Sequence, residues 1–236
     1  MKIEIWSDVV CPFCYIGKRK LEKALEKVPF KHQIEIEWKS FQLNPDEKTN
    51  PEINSLEHLA NSKGWTFEQA QGISAQVASM GKEQGLDFNF EKAKVANTFR
   101  AHQLIHLAKA LGKGSEMKER LLKAYFSDGL NVDDTETLKK LGQEIGLDSE
   151  SIENALTSEQ FTNEVEQDIY EARLIGVRGV PFFVFDRKYA ISGAQPDEVF
   201  DETLNKAWLD FSASQPTHLI QEGEDGDTCD FEGENC

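Results

Sequence analysis

The chain opens with alternating apolar and polar side chains over residues 2–6. Such alternation is typical of a β-strand. From Tyr15 the apolar positions instead recur every three or four residues, which predicts an amphipathic helix that ends at Pro29. Alternation returns at Ile34 and predicts a second strand that runs to about Leu43. Strand, helix and strand in this order form a βαβ unit, whose two strands are expected to be parallel.

The pattern changes after residues 44–51, which are polar and turn-prone. Between about Leu56 and Leu174 the apolar residues keep helical spacing, glycines separate the segments, and no convincing strand is found. The predicted helices include residues 96–111, 135–145, 149–156 and 158–174. The second and third of these each begin at a polar capping residue. The sequence therefore predicts an all-helical insertion.

A strand-like pattern resumes at residues 180–185, and a short turn separates this run from residues 189–192. The two runs predict an antiparallel hairpin, and a final helix is expected from Pro196 to about Phe211. The expected fold class is α/β, with a βαβ unit and a ββα unit interrupted by the insertion. The expected domains are a sheet-bearing domain (1–50 and 175–215), the helical insertion (51–174) and an acidic tail (216–236).

Charge and hydropathy exclude some classes of partner. The 236 residues carry a formal net charge of −16, which argues against nucleic acid and anionic membranes as partners. No apolar run approaches the length of a membrane span, and the first strand begins where a leader would stand. These features predict a cytoplasmic protein.

The candidate chemistry lies in the motif Cys11-Pro12-Phe13-Cys14, at the junction of the first strand and helix. Pro12 suits the first position of a helix, because its missing N–H would have had no partner there. Cys11 would then lie at the helix N-terminus, where free amides and the macrodipole favour a thiolate. Cys14, one turn further, would be the resolving thiol. The alternatives are half of a zinc site or two inert core cysteines.

Four motifs together carry a family resemblance. They are residues 7–14, 97–102, 124–126 and 176–183. In these motifs and in its order of elements, the chain resembles the DsbA family of thioredoxin-fold oxidoreductases, most closely the FrnE-like branch. The resemblance implies that Pro181 is cis and faces the dithiol, and that the backbone of Val180 pairs with an extended substrate.

The resemblance also implies an activity. We expect a protein thiol–disulfide oxidoreductase or isomerase that works through a mixed disulfide, with Cys11 as nucleophile and Cys14 as resolver. It needs no bound cofactor or metal, and glutathione or a thioredoxin-type partner supplies electrons. Pro12, Phe13 and Val180 are expected to contact the substrate, and His102 to line the cleft above the dithiol.

Two features depart from the family pattern. The residues between the cysteines are Pro-Phe, without the histidine of strongly oxidising relatives, so a less oxidising couple is expected. Related folds also keep a buried carboxylate near the dithiol as a proton acceptor. Glu4 and Asp8 are both candidates for that role.

The acidic tail contains a second cysteine pair, Cys229 and Cys236, separated by six residues. A gap of this length closes easily into a loop. We expect these cysteines to form a second redox couple that exchanges with Cys11–Cys14 or protects it.

Two other functions compete with this interpretation. All four cysteines could form a Cys₄ zinc site in a protein that is not an enzyme. Alternatively, the chain could be a glutathione-dependent isomerase of the 2-hydroxychromene-2-carboxylate type, although those enzymes have a serine or a single thiol where this chain has two cysteines. His102 and His106 have the i, i+4 spacing of helical metal ligands, but a structural role is expected for His106.

Overall fold

The computed structural model describes residues 1–214, which contain six strands and nine α-helices. The strands are β1 (Lys2–Ser7), β2 (Glu35–Ser40), β3 (Asn50–Asn54), β4 (Lys94–Val95), β5 (Phe182–Phe185) and β6 (Tyr189–Ser192). The helices are α1 (Pro12–Glu26), α2 (Ser55–Lys63), α3 (Phe67–Glu83), α4 (Phe99–Ala110), α5 (Gly114–Lys123), α6 (Thr135–Glu144), α7 (Ser149–Ala155), α8 (Glu159–Leu174) and α9 (Asp197–Ser214). A four-stranded sheet has the order β2-β1-β5-β6, and β3 pairs separately with β4.

Strand β1 lies inside the larger sheet, parallel to β2 and antiparallel to β5. Ile5 lies opposite Trp38 on one side and Phe183 on the other. Because both edges of β1 are paired and both faces are covered, Ile3 and Trp6 are also fully buried. The predicted βαβ and ββα units therefore share one sheet, and the expected thioredoxin-type α/β fold is confirmed.

The insertion packs directly on this sheet. Helices α4, α5 and α8 all contact β2, and Ile3 of the sheet belongs to the same hydrophobic core as Leu104 and Leu121 of the insertion. Helix α5 also holds α1, because Glu119 accepts a hydrogen bond from Tyr15 Oη at 2.5 Å and another from Lys18 Nζ at 2.6 Å. The two parts of the molecule are thus joined at the helix that carries the dithiol.

Helices α6 and α7 are capped as the sequence predicts. Asp134 accepts a hydrogen bond from the Thr137 N–H, and Asp148 accepts one from the Ser151 N–H, each at 2.8 Å. These side chains satisfy backbone donors that have no partner within their helices. No helix in residues 1–214 combines the length and apolar character that crossing a membrane requires.

The expectation of an all-helical insertion is wrong at one point. Strand β3 pairs antiparallel with β4, which is only two residues long. Neither strand shows a run of alternating side chains, and β3 contains Pro51, which cannot donate to a ladder hydrogen bond. The sequence pattern therefore carried no signal for this small sheet. Strand β2 also ends at Ser40 and not near Leu43, whose N–H donates to the Asp8 side chain and not to a neighbouring strand.

Candidate active site

Cys11 and Cys14 lie where β1 is followed by α1. Cys11 is the N-cap residue, in an extended conformation (φ −96°, ψ 110°), and Pro12 is the first residue of the helix. The position of Pro12 agrees with the sequence prediction and removes an N–H that would have lacked a partner. The remaining free amides of the first turn lie close to Cys11.

The loop that precedes β5 lies against Cys11. The Val180–Pro181 peptide bond is cis, as the family resemblance implied, and Cys11 Sγ donates a hydrogen bond to the Val180 carbonyl oxygen at 3.5 Å. Gly17 lets α1 approach this loop closely. A Cβ atom at Gly17 would lie 2.9 Å from Phe183 Cζ and 3.1 Å from Pro181 Cγ. The absence of a side chain on Gly17 therefore allows the dithiol helix and the cis-proline loop to meet.

Both sulfurs are thiols in this structure, and only 3% of Cys11 and 1% of Cys14 is exposed. Burial opposes ionisation of Cys14, but the thiol of Cys11, the ammonium of Lys118 and the hydroxyl of Ser7 outweigh it and lower the pKa of Cys14. The hydrogen bond with Cys14, together with burial, raises the pKa of Cys11. When the pair loses one proton, its surroundings therefore draw the negative charge towards Cys14, and the two sulfurs share the proton that remains. From the sequence, the helix terminus alone predicts this charge on Cys11.

Lys118, in α5, is a buried cation beside the dithiol. Its Nζ donates to the main-chain oxygen of Ser7 at 3.2 Å and lies 5.6 Å from the centre of the Trp38 ring. Burial lowers the pKa of Lys118, and the nearby charges of Cys14 and Asp8 oppose this shift. A thiolate on Cys14 and the ammonium of Lys118 therefore stabilise each other's charge in a region without bulk water.

Asp8 is the buried carboxylate of the site. Its Oδ1 accepts from the Val9 N–H at 2.7 Å, and its Oδ2 accepts from the Leu43 N–H at 2.8 Å. Burial would raise the pKa of Asp8, but hydrogen bonds from His102 and Leu43 and the charge of Lys118 lower it. Asp8 therefore stays ionised and acts as a fixed negative charge, which makes it a poor store for a proton.

Glu4, the other candidate carboxylate, serves a different cluster. It forms an ion pair with Arg187, whose guanidinium also donates to Glu171 at 2.6 Å. Burial raises the pKa of Glu4, and the charges of Arg187 and Lys39 oppose that shift. Of the two carboxylates considered from the sequence, Asp8 is the one that acts on the dithiol.

His102 is buried and does not line a substrate cleft, which corrects the expectation from the sequence. Its Nε2 lies 3.3 Å from Asp8 Oδ1, and only 1% of the residue is exposed. His102 and His106 are four residues apart on α4, so both rings lie on the same, buried face of the helix. Burial lowers the pKa of His102, so the neutral ring donates its N–H to the Asp8 carboxylate. Its influence on the dithiol passes through Asp8.

His106 has the structural role expected for it. Its Nε2 lies 3.0 Å from Ser40 Oγ and 3.0 Å from Asp168 Oδ2, and its Nδ1 lies 3.0 Å from Glu164 Oε2. The ring therefore joins α4 to β2 and α8. Within the described part of the chain, no group of three or more histidine, cysteine or acidic residues is arranged to hold a metal ion.

A cavity of about 460 Å³ opens beside Cys11. Pro12, Phe13 and Val180, the residues expected to contact substrate, line one side of it. Phe13 is 39% exposed, so its ring is available at the cavity wall. The insertion supplies most of the other lining, which is largely apolar. It includes Leu56, Leu59, Trp65, Ile73, Val77 and Tyr125.

The second cysteine pair expected from the sequence, Cys229 and Cys236, lies outside residues 1–214. Both its exchange with Cys11–Cys14 and the alternative Cys₄ zinc site remain predictions.

Sequence reasoning missed Lys118 and Ser7. Lys118 lies three and four residues before Leu121 and Leu122, on the buried stripe of α5. A lysine at an apolar position was the available signal, because such a side chain needs a compensating charge. Ser7 gave no signal, since a serine at the end of a strand is ordinary. Its buried hydroxyl contributes to the lowered pKa of Cys14.

Comparison with known proteins assigns the chain to a family. A family profile described as "DSBA-like thioredoxin domain" matches residues 2–205. The crystal structure of a probable DsbA oxidoreductase, SCO1869 of Streptomyces coelicolor, is similar with 36% identity and a TM-score of 0.84. That match covers 99% of this chain and 97% of the other.

Two further proteins are also similar to this chain. YwbO of Bacillus subtilis (strain 168), described as uncharacterized, is 28% identical over 205 residues, which are 86% of this chain and 95% of YwbO. The cytosolic disulfide reductase DsbM of Pseudomonas aeruginosa has 16% identity and a TM-score of 0.63 over 90% of this chain and 98% of its own, so it shares the fold. With its profile match over residues 2–205 and its dithiol beside a cis-proline loop, this chain belongs to the family of DSBA-like thioredoxin-domain proteins.

Proposed function

We propose that the protein is a thiol–disulfide oxidoreductase that exchanges disulfides with protein or peptide substrates through Cys11 and Cys14. The observation that carries this proposal is the position of Cys11 Sγ. It lies at a helix N-terminus, 3.5 Å from the Val180 carbonyl and at the wall of a cavity, with Cys14 in the next turn. A sulfur in this position is the one that a substrate disulfide can approach.

In the reducing direction, the shared proton passes to Cys14 and the Cys11 thiolate attacks one sulfur of the substrate disulfide. The Cys11–substrate bond forms, and the second substrate sulfur leaves as a thiolate. Cys14 then loses its proton and attacks Cys11 Sγ, which releases the first substrate sulfur. The enzyme ends as the Cys11–Cys14 disulfide and has given two electrons to the substrate. The oxidising direction is the reverse of these steps.

The residues around the dithiol would assist both steps. Lys118 stabilises negative charge on Cys14, whether that thiolate attacks or leaves. The negative charge of Asp8 opposes this stabilisation, because it repels a thiolate at the dithiol. The backbone of Val180 would pair with an extended substrate and hold its cysteine near Cys11.

The partners and compartment belong to the same proposal. Glutathione or a thioredoxin-type protein would supply electrons, and the reducing cytoplasm would be the site of action. A structure of DsbM that contains glutathione shows this fold together with that thiol. We also place the chain in the FrnE-like branch, and we propose that Cys229 and Cys236 exchange with the dithiol.

A glutathione redox titration of the whole chain tests the proposal, with Cys11 and Cys14 followed by alkylation and mass. We expect a reversible disulfide. A potential between roughly −120 and −180 mV would indicate an oxidase or isomerase, and one near about −270 mV a reductase. If no reversible disulfide forms between Cys11 and Cys14, the proposal fails and the isomerase or zinc alternatives replace it.

Two variants sharpen the test. Cys14→Ser should accumulate a mixed disulfide on Cys11, because the resolving thiol is gone, whereas Cys11→Ser should form none at the active site. A chain with both Cys229→Ser and Cys236→Ser measures the contribution of the tail. Unchanged turnover and unchanged sensitivity to oxidation would show that the tail pair is dispensable.

A further inference from the structure

One of the four family motifs, residues 124–126, belongs to a π-helical turn (Ala124–Asp128) that directly follows α5. π-Helical turns are rare and frequently occur at functional sites. Here the turn brings Tyr125 and Phe126 to the wall of the cavity that Cys11 also lines. The motif therefore contributes to the surroundings of the sulfur that meets the substrate.

The hydroxyl of Tyr125 is a hydrogen-bond donor that faces this cavity. Only 7% of the residue is exposed, and its hydroxyl makes no hydrogen bond with another group of residues 1–214. A buried tyrosine hydroxyl usually finds a partner within the protein. The Tyr125 hydroxyl is not sealed off from solvent, and the residue lines the cavity. Its proton is therefore available to a molecule that enters the cavity.

The ring of Tyr125 is held in place and keeps its proton. It packs edge-on against Phe126, with the ring centroids 4.9 Å apart and an interplanar angle of 87°. Phe126 in turn packs against two further phenylalanine rings. Burial raises the pKa of Tyr125, and the charges of Asp8 and Glu47 raise it further. The hydroxyl is thus a fixed donor, which needs no reorganisation to meet a developing negative charge.

Tyr125 lies on the same side of its helical segment as Lys118. The two residues are seven positions apart, which is about two helical turns. The charge of Asp8 acts on the pKa of both residues and on that of Cys11. Lys118 acts on Cys14 from within the core, whereas Tyr125 faces the cavity beside Cys11.

The direction of attack decides where negative charge appears on the substrate. The Cys11 thiolate approaches along the axis of the substrate S–S bond, so the leaving sulfur lies on the far side of the attacked sulfur. Two S–S bonds of about 2.05 Å would place it about 4 Å from Cys11 Sγ. Cys14 and the Val180 carbonyl already lie against Cys11 Sγ on other sides. The leaving sulfur therefore faces the cavity.

We propose that the hydroxyl of Tyr125 donates a hydrogen bond to the substrate sulfur that leaves as a thiolate. This inference rests on the proposed thiol–disulfide exchange and adds a catalytic residue to it. As the Cys11–substrate bond forms, the substrate S–S bond breaks and its electron pair stays on the leaving sulfur. Tyr125 keeps its proton throughout. In the oxidising direction, the same hydroxyl orients the thiolate that attacks the mixed disulfide.

Two peptide disulfides with different leaving thiols test this role. A blocked pentapeptide with one central cysteine is prepared as its mixed disulfide with ethanethiol and with trifluoroethanethiol. These thiols share one carbon skeleton, but the fluorine atoms withdraw charge and make trifluoroethanethiol the stronger acid. The protein is the full chain with Cys14→Ser, Cys229→Ser and Cys236→Ser, which leaves Cys11 as its one thiol. Mass spectrometry follows the adduct in which Cys11 carries the peptide and the small thiol has been released.

Tyr125→Phe in this chain should slow the release of ethanethiol about tenfold, because one hydrogen bond to a charged sulfur is lost. The release of trifluoroethanethiol should slow about threefold or less, since its thiolate is already stabilised by the fluorine atoms. The variant therefore depends more steeply on the acidity of the leaving thiol. Its free energy of unfolding in urea should be unchanged, because the hydroxyl has no partner in the described part of the protein.

Tyr170→Phe is the matched control. Tyr170 lies on α8, is 54% exposed and does not line the cavity, so its variant should release both thiols at the rates of the parent chain. Unchanged rates in Tyr125→Phe would overturn the inference. Slowing of both reactions by the same factor would also overturn it, because Tyr125 would then only shape the cavity. If Cys11 reacts with neither peptide while Tyr125 is in place, the proposed function itself fails.

Discussion

The ammonium of Lys118 donates a hydrogen bond to the main-chain oxygen of Ser7 across 3.2 Å, although the two residues are 111 positions apart in the chain. This contact brings a cation from the insertion to the end of the strand that precedes the dithiol. Burial raises the pKa of Cys14, whereas the thiol of Cys11 and, to a smaller extent, the charge of Lys118 lower it. The ionisation of the dithiol in the sheet domain therefore depends on a residue outside that domain.

Lys118→Met should make the Cys11–Cys14 couple more reducing. Removing the ammonium destabilises the thiolate and therefore the reduced form. A rise of one unit in the thiol pKa corresponds to about 1.4 kcal/mol of lost thiolate stabilisation. For a two-electron couple this lowers the reduction potential by about 30 mV. The glutathione titration measures the potential. Lys123→Met, at an exposed position of the same helix, is the control and should leave the potential unchanged. Equal potentials for wild type and Lys118→Met would contradict this role.

Asp8→Asn should shift the potential in the opposite direction. The negative charge of Asp8 contributes to raising the pKa of Cys11, so its removal favours the thiolate and makes the couple more oxidising. The amide also leaves the Val9 or Leu43 N–H without a good acceptor, which should cost about 1–3 kcal/mol of unfolding free energy. Redox titration and urea denaturation measure the two effects. A fall in potential would show that Asp8 acts in another way.

His102 should make the protein less stable as the pH falls from about 7.5 to 5.5. Its pKa is lowered by burial, so in this range the unfolded chain binds a proton that the folded chain does not. Unfolding free energy therefore rises with pH here. The contribution of Asp8, whose pKa is also lowered, is lost only at more acidic pH, as the pH falls through its folded value.

The His102→Gln variant keeps an N–H donor for Asp8 and removes the titrating ring. Its unfolding free energy, measured with urea at several pH values, should vary less over this range than that of the wild type. His32→Gln, at an exposed position, should retain the wild-type slope. Identical slopes for wild type and His102→Gln would exclude His102 as the source.

Gly17→Ala and Gly72→Ala should have opposite effects on stability, although both glycines are inside helices. An alanine generally favours a helix over glycine by about 1 kcal/mol. At Gly72 no atom lies within 4 Å of the added Cβ, so the full gain is expected. At Gly17 the Cβ would meet Phe183 at 2.9 Å, and overpacking typically costs about 1–3 kcal/mol. Thermal unfolding of both variants measures these changes in stability. A stabilised Gly17→Ala would show that Phe183 and the cis-proline loop move aside at little cost.

The sheet and most helices were predictable because their signals are local. Alternation marks β1, a strand-like apolar run marks β5, and Asp134 and Asp148 mark two helix starts. The β3–β4 pair was not predictable, since a two-residue strand has no periodicity to read.

The candidate site was only partly predictable. The motif Cys11–Cys14 and the cis bond at Pro181 follow from residues near one another in sequence and from the family resemblance. Lys118 and His102 act on the dithiol through contacts that join distant parts of the chain, which a single sequence does not reveal. A lysine within a helix is usually solvated, so its burial becomes visible only when the neighbouring strand is in place.

Two consecutive residues of α5 have different roles. Glu119 binds α1, the helix that carries the dithiol, and Lys118 stabilises negative charge on Cys14. A protein reduced to residues 1–50 and 175–214 would keep the complete Cys-Pro-Phe-Cys motif and lose both contacts, together with most of the cavity wall. Relatives with an identical motif can therefore differ in potential and in substrate through changes in the insertion alone. In the proposed function, the four-residue motif would carry out the exchange, and the insertion would influence its potential and its choice of substrate.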